Sequence, residues 1–85
     1  MDSQKFDKTV RRTIADHLWV DVEDVPDEIS FIDDFGADLV ELQVIILDVE
    51  TKTGIEFSDE EIESIRTVGD LMRLAREKND EMQDL

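Results

Sequence analysis

The stretch Asp38-Leu39-Val40-Glu41-Leu42-Gln43-Val44-Ile45-Ile46-Leu47-Asp48-Val49-Glu50-Thr51-Lys52-Thr53-Gly54 decides the fold. It holds no proline, and its only glycine is its last residue. Asp38 is suited to accept from the first free backbone N–H groups of a helix, and Gly54 to end one in a left-handed conformation. The segment therefore reads as a helix. At about 100° per residue, Leu39, Leu42, Ile45, Ile46, Val49 and Thr53 share one broad face, which is expected to be the core side. Val40, Val44 and Leu47 form a second, narrower apolar stripe, and Glu41, Asp48 and Lys52 lie between the two. A bundle helix needs one apolar side. The second stripe is thus either a wider buried arc or a contact surface for a partner.

Upstream, Phe6, Val10, Ile14 and Leu18 recur every fourth residue among charged neighbours, which predicts an amphipathic helix over 3–18 with Ser3 as its N-cap. Trp19 is expected to cover the end of the bundle beside Leu18, with a ligand or partner contact as the alternative. Residues 19–27 alternate acids with valines and carry the only proline. Alternation favours a strand, but no second run of comparable length exists to pair with it. The segment reads as a long, partly ordered loop in which Val20, Val22, Val25, Ile29, Phe31 and Ile32 cover an open side of the bundle.

Downstream, Ser58-Asp59-Glu60-Glu61 has the spacing of a capping box and opens a short helix to about Ser64. Thr67-Val68-Gly69-Asp70 opens a last helix with Val68, Leu71, Met72 and Ala75 facing inward, and the charged tail over 76–85 is expected to fray. The expected fold is all-α, a small four-helix bundle of three longer helices and one short one. A long loop joins helices 1 and 2, and the whole forms a single domain over 1–85.

Composition narrows the function. The chain has 85 residues and no cysteine, so thiolate metal sites and disulfides are excluded and helix packing must hold the domain together. The longest apolar run, Val44-Ile45-Ile46-Leu47, is far short of the ~18 residues of a membrane span, and the N-terminus has no signal-peptide pattern. A soluble, cytoplasmic monomer is expected. Nine basic against 24 acidic residues give a net charge of −15, which disfavours nucleic acid and anionic lipid and favours basic patches on other proteins.

With these segments in place, a family resemblance emerges. Phe31-Ile32-Asp33-Asp34-Phe35-Gly36-Ala37-Asp38 resembles the segment preceding the modified serine of acyl carrier proteins, which usually ends Leu-Gly-Ala-Asp-Ser-Leu. The residues after Asp38 align without gaps to that family's helix. Gly54-Ile55-Glu56-Phe57-Ser58-Asp59-Glu60-Glu61 resembles its Gly-Ile-Glu-Ile-Pro-Asp-Glu-Glu turn, and Ile65-Arg66-Thr67-Val68-Gly69-Asp70 its entry into the final helix. The likeness spans residues 6–75 and implies a carrier that tethers acyl thioesters on 4′-phosphopantetheine and docks on acyl-chain synthesis or transfer enzymes.

At the position of the family's serine stands Leu39, which has no oxygen with which to form a phosphodiester. No prosthetic group is therefore expected on this sequence. Leu39 marks a blocked carrier, a homologue that kept only docking, or a side chain filling the acyl pocket. By position, the resemblance places partner contacts on Val40, Glu41, Leu47 and Glu50, and the outward stripe with its neighbouring acids adds Val44 and Asp48, although the family often has acids where this chain has Val44 and Thr51.

The remaining candidates read more plainly. His17 has no second histidine or cysteine near it in sequence, so it is expected to favour the helix 1 dipole and not to bind metal. The acids at 21–24 and 33–34 lack the spacing of a calcium loop. No nucleophile–base pair, phosphate-binding glycine loop or carboxylate dyad is present, so an enzyme is not expected. The alternatives to a non-modifiable carrier are an interaction module on the same fold and, more weakly, noncovalent acyl binding between the helices.

Overall fold

The computed structural model describes residues 2–83. Four helices follow in order: α1 Ser3–Leu18, α2 Leu39–Thr53, α3 Asp59–Ser64 and α4 Val68–Gln83. The long connection from α1 to α2 contains one 3-10 turn at Val22–Asp24. No strand occurs among the described residues, only a single antiparallel bridge between Ser30 and Thr67.

Local chemistry accounts for the helix limits. The Asp38 carboxylate accepts from the Glu41 backbone N–H at 2.8 Å, and Gly54 ends α2 at φ 82°, a conformation in which glycine alone carries no steric cost. The Ser58 hydroxyl accepts from the Glu61 N–H while the Glu61 carboxylate accepts from the Ser58 N–H, the reciprocal pair that its spacing predicts. Thr67 and Asp70 form the same reciprocal arrangement at the head of α4, at 3.0 and 3.1 Å. At α1 the sequence reading shifts by one residue: Asp2 is the N-cap, its side chain makes no capping bond, and Ser3 is the first helical residue.

The core is one cluster. Phe6, Val10 and Ile14 of α1 meet Leu42, Ile45, Ile46 and Val49 of α2 and Val68, Leu71, Met72 and Ala75 of α4. Phe31 and Val25 of the long loop are buried with them, while Val20, Val22 and Ile29 pack partly against the cluster. Ile32 departs from the expectation and is half exposed, because it lies on the outer side of the turn that Phe31 anchors.

The loop is fastened at both ends. Arg11 of α1 donates to the Val25 carbonyl and, at 2.6 Å, to the Asp27 carboxylate. The Gly69, Val68 and Phe31 N–H groups donate to the carbonyls of Asp27, Ile29 and Arg66 at 2.8, 2.9 and 3.2 Å. Gly69 suits this close approach, since a Cβ there would lie 3.1 Å from the Asp27 carbonyl oxygen and the loop backbone would have to give by a few tenths of an ångström.

The expected fraying of 76–85 is corrected over most of its length. α4 continues to Gln83, with Asn79 buried, Arg76 paired to Asp7 at 3.0 Å and Lys78 to Glu61 at 2.9 Å. Lys78 also lies 5.5 Å above the Phe57 ring, so its charge has two partners and its stem covers apolar surface. Residues 84 and 85 lie outside the described residues. The radius of gyration, 11.9 Å, is about what a folded chain of this length gives.

Candidate functional site

The site is the head and outward side of α2, and the turn before it sets its position. The Ser30 N–H donates to the Asp34 carboxylate at 2.8 Å, and the Asp33 N–H to the Ser30 hydroxyl at 3.1 Å. The N–H groups of Asp34, Gly36 and Ala37 donate back to the carbonyls of Ser30, Ile32 and Phe31. Gly36 supplies the left-handed residue at φ 66°, and Ala37 is buried. This closed turn, anchored by Phe31 in the core, delivers Asp38 and Leu39 to the surface at the start of α2.

Leu39 does not lie on the core side as its wheel position suggests. It is 50% exposed. Its azimuth is close to that of Leu42 and Ile46, which are buried, but it is the first residue of the helix and only half covered. It therefore does not fill an internal pocket. The narrower stripe is outward as well: Val40 is 65% exposed, Leu47 62% and Val44 about half.

Of the six residues expected to meet a partner, four face solvent and two are engaged inside the molecule. Val40, Glu41, Val44 and Leu47 are exposed. Asp48 lies 2.8 Å from His17 Nε2 and 3.2 Å from Lys52 Nζ. The bond to His17, opposed by partial burial and aided by Lys52, holds the Asp48 carboxyl below its ordinary range. Glu50 accepts from the Phe57 backbone N–H at 2.7 Å and so pins the turn after α2. Both acids are thus tied within the chain and only partly exposed.

His17 was expected to act on its own helix dipole, and the structure gives it a partner 31 residues away, Asp48, tying the end of α1 to the middle of α2. Nothing in the local sequence carries that pairing. Trp19 is a second correction. Its side chain is 93% exposed, and its backbone closes α1 at φ 61°, the left-handed conformation usually left to glycine. The turn it makes directs Val20 back onto the core, with the Val20 N–H donating to the Ala15 carbonyl at 3.1 Å, and leaves the indole outside.

Trp19, Leu18, Phe35, Val40, Val44 and Ile45 line a cleft of about 440 Å³, with His17 and Glu41 as its polar edges. The sequence points to Val40, Glu41 and Val44 on the α2 side of this cleft and, at the α1 end, to Trp19 only as the alternative to a bundle cap. Among the described residues no group of three or more His, Cys, Asp or Glu could hold a metal ion, and no helix is long and apolar enough to cross a membrane.

Comparison with known proteins accords with this geometry. The sequence profile of the family described as "Phosphopantetheine attachment site" matches residues 8–75. An acyl carrier protein from Enterococcus faecalis, noted for high thermal stability, is 28% identical and superimposes with a TM-score of 0.76 over 92% of this chain and 99% of its own. An acyl carrier protein from Thermotoga maritima is 26% identical with a TM-score of 0.76, over 96% of this chain and 95% of its own. Acyl carrier proteins are carriers and not enzymes, and their family uses 4′-phosphopantetheine. With the profile covering most of its length and both relatives matching nearly end to end, the chain belongs to the phosphopantetheine-attachment family, that of the acyl carrier proteins.

Proposed function

We propose that this chain is an acyl-carrier-type docking domain of acyl-chain metabolism that carries no phosphopantetheine arm. The observation that supports the reading is Leu39. It follows the helix-capping Asp38, where the resemblance puts the attachment serine, and it presents hydrocarbon to solvent. The group needs a hydroxyl at this place, and the residues here do not fit it: from Phe31 through Glu50 there is no serine, threonine or tyrosine. Ser30 is on the far side of the turn, with its hydroxyl accepting from the Asp33 N–H.

What the family's docking requires is better preserved. Val40 and Leu47 are open to solvent on one side of α2, and Glu41 beside them pairs with no cation among the described residues. Partners are basic-patch proteins, with acyl-chain synthesis or transfer enzymes the first class to examine, and the setting is cytoplasmic. A protein-interaction module outside acyl metabolism is the second reading; the same missing hydroxyl favours it.

Leu39→Ser, incubated with a phosphopantetheinyl transferase and coenzyme A, should gain one arm by intact mass. A folded variant that stays unmodified would sink the carrier ancestry of this site. Glu41→Lys should slow association with a basic partner enzyme at low salt, and an unchanged rate would count against docking on this face.

A further inference from the structure

We infer that Trp19 is an anchor for a partner, and that the cleft between the end of α1 and the first turns of α2 takes apolar side chains from a basic amphipathic helix of another protein. This rests on the docking reading above and extends it to residues outside α2.

Two local facts point outward from the fold. A tryptophan in the left-handed conformation at φ 61° is strained, and at 93% exposure it gains almost no burial in return. Glycine would close α1 at lower steric cost. The indole is not isolated either, since it borders a cleft to which Leu18, Phe35, Val40 and Val44 bring apolar side chains and His17 and Glu41 polar ones. At about 440 Å³ the cleft is within the size range of recognition pockets. Val40, Val44 and Leu47, spaced by four and three residues on α2, continue that surface in the periodicity by which one helix meets another.

Charge selects among possible occupants. Every residue lining the cleft falls within 13–51, a segment with twelve acids and neither lysine nor arginine. Glu41 lines the cleft itself and is unpaired with any cation among the described residues. A second copy of this chain would bring the same acids against them, and an anionic bilayer would be repelled. A helix with an apolar stripe flanked by lysine or arginine matches both the cleft and its rim.

The test uses the full chain and a fluorescently labelled synthetic helix with leucines on one face and lysines on the other. A second peptide of equal charge has serines for those leucines. The leucine peptide is expected to shift the emission of Trp19, the sole tryptophan, to shorter wavelength. Anisotropy should show at least tenfold weaker binding for the serine peptide and for Trp19→Ala, with the helical content of Trp19→Ala unchanged. If Trp19→Ala binds as well as the native chain while Glu41→Lys and Leu47→Ala weaken binding, the Trp19 inference is overturned and docking on α2 stands. If none of the three variants weakens it, both fall. An emission shift that follows protein concentration without peptide, or that dodecanoate or phosphatidylglycerol vesicles produce more strongly than the peptide, overturns the inference in favour of those occupants.

Discussion

α2 and α4 are almost the same length, 15 and 16 residues, and each buries one apolar stripe in the shared core, yet their outer sides are built differently. On α4 the basic groups are partnered, Arg73 with Asp70, Arg76 with Asp7 and Lys78 with Glu61, and Met82 near its end is the one large apolar side chain about half exposed among the described residues of that helix. On α2 the outward groups are Val40, Val44 and Leu47, half exposed or more, next to Glu41, which pairs with no cation among the described residues. α2 thus leaves a continuous apolar stripe open to solvent, and the docking proposal rests on that stripe.

The largest expected difference is in stability. Ile46→Ala and Leu71→Ala, one buried residue from each helix, should each cost about 2 to 5 kcal/mol by chemical denaturation. Val44→Ala and Leu47→Ala should cost no more than about 0.5 kcal/mol, as surface changes usually do. An outward valine as costly as Ile46 would mean that the stripe is part of the core.

At the end of α1, Trp19→Gly should raise stability by about 1 kcal/mol, because glycine adopts φ 61° freely, while weakening partner binding. Loss of stability in that variant would mean that the indole contributes to the fold. Leu39→Ser should change stability by less than about 1 kcal/mol, since half the leucine already faces water. A larger loss would restore the pocket-filling role that its wheel position suggests.

The smallest effect is in pH dependence. Asp48 has a depressed folded pKa, so its contribution is fully present above its unfolded value, near 3.8, and is lost as pH falls through the lower folded value. The stability difference between the native chain and Asp48→Asn should therefore shrink as pH falls below about 4. A difference that persists undiminished in strong acid would contradict the His17–Asp48 tie. Added salt should raise the melting temperature of the native chain by screening its charge of −15.

How legible each feature was depends on how local its cause is. The caps at Asp38 and Ser58 act over three residues and could be read directly, as could the inward faces of α1, α2 and the first half of α4. Leu39 was misread because a wheel gives an azimuth but not whether a neighbour covers that azimuth at the helix end. Trp19 was misread because hydrophobicity alone suggests burial, whereas a left-handed closure turns the following residue inward instead. The His17–Asp48 bond joins two helices and has no local signature. The end of α4 looked like a charged tail, and its order comes from tertiary partners, Asp7 and Glu61.

The central claim is that a carrier fold here presents a leucine where its family attaches the arm. Its most direct test is intact mass of the native chain and Leu39→Ser, incubated side by side with transferase and coenzyme A. The native chain should keep its mass and the serine variant should gain one phosphopantetheine. Modification of the native chain, or of neither, would contradict the account.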